Sequence, residues 1–174
     1  MLENQLNKNL KFNFKVSLRR DFFYILPPMK VIVLENLRSL HNVGSILRTA
    51  DGAGWDKVYL TGYTGCPPDR RIEKVSLGAE EFLAWEHNPE PLDCVETLKA
   101  QGFKMLALEQ TSQSINVLEY TNDDENIALV VGNEVEGVSP DVLKVCDEHL
   151  EIPMRGQKGS LNVSIAAGIA LYQL

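Results

Sequence analysis

From residue 31 to the C-terminus, short apolar runs rich in β-branched residues alternate with stretches whose apolar residues recur at helical spacing. Val31 to Leu34 reads as a buried opening strand, and Val43, Ile46, Leu47 and Ala50 mark a helix over Val43 to Asp51 that Gly52 or Gly54 can end. Lys57 to Leu60 is a second strand. Two glycines and Pro67-Pro68 make 62–69 an irregular loop. A helix is predicted from Pro91 to about Ala100, stopped by Gly102, then strands over Phe103 to Leu108 and Ile127 to Val131. Ser139-Pro140-Asp141 carries the marks of a helix start: a capping hydroxyl, proline at the first helical position and an acid in the positive first turn. That helix should end near Cys146. His149 to Ile152 closes the strand set, Pro153 to Gly159 is a loop, and a small-residue helix runs from Leu161 onward. This rhythm predicts an α/β fold built on a largely parallel sheet.

The pattern divides the chain into a single domain over 30–174 and an N-terminal extension over 1–29. Of the 174 residues, 44% are hydrophobic and 24% charged, enough apolar content for one substantial core. The net charge of −7 is unevenly spread, because residues 1–30 hold six basic side chains against two acidic ones, net +4, leaving −11 for the rest. The basic extension reads equally as a disordered leader or as an arm that grips phosphates. No apolar run approaches the roughly 20 residues that cross a bilayer, and no secretory leader is visible, so a cytoplasmic protein is expected. Cys66, Cys94 and Cys146 lack disulfide-framework or zinc-ligand spacing and are expected to be inert thiols, with no metal.

Three segments share one arrangement, a strand followed by a polar or glycine-containing loop and a helix: 35–42, 132–139 and 153–160. Loops at the carboxyl ends of strands build the ligand crevice of an open α/β sheet, so a site is expected there. In the first, Asn42 stands at an expected helix cap, and Arg48 lies among apolar neighbours, where a half-buried guanidinium needs an anionic partner. In the second, Gly132-Asn133-Glu134-Val135-Glu136-Gly137 matches neither a dinucleotide fingerprint nor a P-loop. Its two acids would repel a pyrophosphate and suit ribose hydroxyls, an adenine amine or a cation, or they are solvated acids on a turn. In the third, Ser160 and Asn162 bracket Leu161 at a helix start, and capping accounts for only one of them. Arg70, Arg71 and Lys74, just past the irregular loop, face water or RNA.

Taken together, the segments Asn42 to Arg48, Gly132 to Gly137 and Ile152 to Ser164 resemble the three signature motifs of the SpoU/TrmH branch of the SPOUT methyltransferases, in order and over essentially all of 31–174. The third, Ile-Pro-Met followed by Ser-Leu-Asn-Val-Ser, is the most specific. The resemblance implies a mostly parallel sheet with helices on both faces, a C-terminal trefoil knot, and a homodimer whose site draws on both subunits. It also implies S-adenosylmethionine as cofactor and methylation of a ribose 2′-hydroxyl in tRNA or rRNA, the form of the first motif leaning toward guanosine. Carried over by position, Arg48, Asn42, Glu134, Ser160 and Asn162 are the implied catalytic residues. Gly132, Asn133, Gly137, Ile152, Met154 and Leu161, with Leu108 at the end of an earlier strand, are the implied cofactor-binding residues.

The family's arginine is held to accept the proton from the ribose hydroxyl. A guanidinium with a pKa above about 12 is a poor base, so Arg48 reads better as a clamp on the target phosphate, with the proton leaving through phosphate or water. A non-catalytic RNA-binding relative or assembly factor is the alternative, and donor binding separates the two.

Overall fold

A computed structural model of the protein describes residues 29–121 and 126–174, so the basic extension, Met29 aside, lies outside the described residues. The strands are β1 (Lys30–Glu35), β2 (Lys57–Thr61), β3 (Ala84–Asn88), β4 (Lys104–Leu108), β5 (Ile115–Asn116), β6 (Ile127–Val131) and β7 (Glu148–Glu151). They form one sheet in the order β3-β2-β1-β6-β4-β7-β5, and each pairing is parallel. Parallel neighbours require crossover connections, which here carry α1 (Leu40–Gly52), α2 (Arg70–Ser76), α3 (Ala79–Phe82), α4 (Pro91–Ala100) and α5 (Pro140–Val145), and α6 (Val163–Gln173) follows the last strand.

The alternation of side chains along β1 splits the core in two. Ile32 and Leu34 point to one face, where Ile46 and Leu47 of α1, Ile72 of α2 and Ala167 and Leu171 of α6 cover them. Val31 and Val33 point to the other, against Val95 and Leu98 of α4 and Val142 of α5. Both faces are thus buried, which is why β6 reads as an unbroken apolar run. The buried indole of Trp55 donates to the Leu171 carbonyl at 2.9 Å and ties the end of α6 to the loop before β2.

Several boundaries differ from expectation. The first helix begins earlier, with Ser39 as its N-cap, because the Ser39 hydroxyl accepts from the Asn42 amide; Asn42 sits inside the first turn and its side chain is released for other work. Ser139 occupies the cap position of α5, but its hydroxyl makes no capping bond, and its amide donates instead to buried Glu35 at 3.1 Å. The last helix starts at Val163 rather than Leu161, capped by Asn162. Strands β3 and β5 and the short helices α2 and α3 lie outside the elements that the apolar pattern predicts.

Candidate active site

The loops leaving β4, β6 and β7 meet at the carboxyl end of the sheet around a crevice of about 470 Å³, within the range of small-molecule sites. Leu108, Gly132, Asn133, Gly137, Ile152, Met154 and Leu161 all line it, as do Glu134, Ser160 and Asn162. Asn42 and Arg48 do not.

The floor is a tight turn after β6. The Asn133 and Gly137 backbones exchange two hydrogen bonds, at 3.0 and 2.9 Å, and the Asn133 side-chain oxygen accepts from the Val135 and Glu136 amides. A Cβ on Gly132 would lie 2.1 Å from the Gly137 carbonyl carbon, so glycine there serves the turn's own closure rather than a ligand's approach. Asn133 is buried, and its amide nitrogen donates to the Asn36 carbonyl and the Tyr63 hydroxyl, so this implied cofactor residue spends its side chain on holding the β1 and β2 loops to the turn. Glu109, at the end of β4, accepts from the Val138 amide at 2.9 Å and pins the turn from the other side.

One network joins the three motifs. The Glu134 carboxylate accepts from the backbone amides of Arg38 and Ser39, each at 3.1 Å, and from the Asn42 side chain at 2.9 Å. Asn42 in turn accepts from the Asn162 side chain at 3.2 Å. The other half of the Asn162 amide caps α6, accepting from the amide and hydroxyl of Ser164. Asn162 therefore caps and connects at once, while Asn42 is oriented at both ends. Burial pushes Glu134 up, but the Arg38 and Ser39 amides, its own amide and Asn42 outweigh that and hold its pKa below the ordinary 4.5.

Ser160 borders the crevice with its hydroxyl unpartnered among the described residues. Arg48 departs from expectation: it is exposed, with no ion pair among the described residues. Residues that sequence reasoning missed are Glu109, Asn36, Tyr63 and Val135. Three of them terminate or follow strands at the site's end of the sheet, which is the signal that pointed to the loops in the first place. Val135 and Leu161, 73% and 39% exposed, form an apolar lip.

The family model for the SpoU rRNA methylase family matches residues 29–172. The chain is 33% identical over 144 residues to the tRNA (guanosine(18)-2′-O)-methyltransferase of Aquifex aeolicus, spanning 82% of this chain and 67% of that protein. A TrmH family protein of Staphylococcus aureus is 34% identical over 84% of this chain and 58% of its own length. Among solved structures, the AdoMet-bound rRNA methyltransferase from Sinorhizobium meliloti superposes with a TM-score of 0.79 at 25% identity, over 85% of this chain and 56% of that one. The chain thus spans between about half and two thirds of the length of these relatives.

Proposed function

The chain belongs to the SpoU rRNA methylase family, and from that premise we propose that it methylates a ribose 2′-hydroxyl of tRNA or rRNA with S-adenosylmethionine as donor. One observation carries the reading. Segments some 92 and 120 residues apart in sequence are joined by Glu134, Asn42 and Asn162 at the rim of a single crevice.

The crevice suits this cofactor. Leu108, Leu150, Ile152, Met154 and Leu161 offer apolar walls for a flat adenine, and Glu109, Glu134 and Glu151 on the same lining favour a cation over a pyrophosphate. When bound, S-adenosylmethionine supplies an activated methyl group on a positively charged sulfur. What the chain must add is alignment of the ribose and an exit for one proton. Asn162 and Asn42 supply fixed polar groups at the rim beside the Ser160 hydroxyl, and Arg48, exposed and without an ion pair among the described residues, has its planar fork available to clamp a phosphate brought by the substrate. The proton leaves to a phosphate oxygen or water, since the guanidinium stays charged.

The same reading includes a C-terminal knot, a cytoplasmic location, a domain over 30–174 preceded by a basic extension, and a homodimer. Support for the dimer comes from α6, which is apolar all round, although Ile165 and Tyr172 on it are 55% and 69% exposed; an apolar helix face left open is an interface in waiting. Calorimetry with S-adenosylmethionine and with its demethylated product tests the proposal. Binding of both is expected, and no heat with either at millimolar concentration would leave the enzyme reading untenable.

A further inference from the structure

Two of the lysines that open strands are paired with acids, Lys57 with Glu86 and Lys104 with Glu148, while Lys30 donates to the Leu174 carbonyl. Lys99 and Lys144 on the opposite helical layer are likewise paired, with Asp147 and Asp141. Lys30 apart, the cations that form no ion pair among the described residues, namely Arg38, Arg48, Arg70, Lys74, Arg155 and Lys158, fall in segments that follow the carboxyl ends of β1, β2 and β7. On a body carrying a large acidic excess, this sorting concentrates the unpaired positive charge of the described residues in the segments around the site.

Two of those cations share a groove. His41 of α1 and Arg70, Arg71 and Lys74 of α2 line a concavity of about 660 Å³, with Glu73 as the acid on that lining. Arg71 is engaged with Asp69 at 2.8 Å, so Arg70 and Lys74 are the free donors. On α2 they stand one turn apart, at i and i+4, and both are exposed. The groove adjoins the crevice through α1: His41 lines the groove, and the next residue, Asn42, turned about 100° around the helix, joins the Glu134–Asn162 network. A chain lying across the first turn of α1 would touch both.

We propose that this groove holds the phosphodiester backbone of the substrate RNA next to the target nucleotide, with Arg70 and Lys74 as the phosphate contacts. The inference rests on the function proposed above and adds where the substrate lies. Each lost phosphate contact lowers the slope of log affinity against log salt by about 0.7–0.9. In the full chain, Arg70→Ala/Lys74→Ala is expected to bind unfractionated tRNA about tenfold more weakly at roughly 0.1 M salt, with a slope shallower by about 1.5. S-adenosylmethionine binding by calorimetry and the melting temperature should not change, since both side chains are exposed. Lys144→Ala, on the opposite layer, should leave tRNA affinity as it is. Equal affinity and slope for the double variant and the wild type would overturn the groove alone. A wild-type chain that binds the donor yet ignores tRNA and rRNA would overturn the substrate half of the proposed function and the groove with it.

Discussion

Glu134 stands on the turn after β6 but spends its carboxylate on the amides of Arg38 and Ser39 and on Asn42, so it couples two loops that the chain itself keeps far apart. Glu134→Gln would set an amide NH2 against one of those donors. Because the carboxylate is largely exposed, the cost to global stability should be only about 1 kcal/mol, seen as a shift of some 2–4 °C in melting temperature. The methylation rate should fall at least about tenfold, a loss of roughly 1.4 kcal/mol in the barrier, as Asn42 and Asn162 lose their orientation. The folded pKa is depressed, so the stabilisation is fully present above the ordinary 4.5 and is lost as pH falls below it through the folded value. Melting curves of wild type and variant should therefore converge toward acid; a gap that widens there contradicts the assignment. At Arg48 the substitutions divide clamp from base. Lysine keeps the charge without the fork, so Arg48→Lys should retain turnover with weaker RNA affinity and a flat pH profile, while Arg48→Ala loses far more; single-turnover rates across pH decide it. The identity of this residue was legible in the sequence and its burial was not. Leu47 is buried and Arg48 exposed because consecutive helical residues point about 100° apart, so apolar neighbours in sequence do not bury a side chain.

Helix α1 is held close against α2 at Gly44, where a Cβ would lie 2.6 Å from the Ile72 carbonyl oxygen. Two effects oppose each other in Gly44→Ala. Helix propensity favours alanine by up to about 1 kcal/mol, but the contact is with backbone and the two helices must part. The clash should win, for a net loss of about 1–2 kcal/mol in denaturant unfolding. At the turn, Gly132→Ala meets the Gly137 and Val138 backbone near 2.1 Å and should cost roughly 3 kcal/mol, whereas Gly156→Ala and Gly159→Ala, with nothing within 4 Å, should be close to neutral. Elements buried on both faces are readable as apolar runs, as β1, β4 and β6 are. Strand β3 was not, since it lies at the sheet's edge with little of it buried, and β5 is two residues long. Ser39 took the cap from Asn42 because both are good caps three residues apart, and only the start of α1 decides between them.

For the whole molecule, the open face of α6 makes oligomeric state the measurement to take. Light scattering should give twice the 19.5 kDa chain mass, and Ile165→Glu should return a monomer with methylation lost; a wild-type monomer at micromolar concentration would remove the dimer from the proposal. The sheet's strand order has a consequence for how the chain comes to be folded at all. The middle strand, β6, is the sixth to be synthesised, and it alone bridges β1 to β4. Until it emerges from the ribosome, β1–β2–β3 and β4 are separate pieces, each presenting an unpaired and largely apolar edge. Long-range parallel pairing of this kind is slow to form and leaves the nascent chain open to aggregation in the interval. A chain cut before Ile127 should accordingly accumulate as insoluble material rather than as a smaller folded domain.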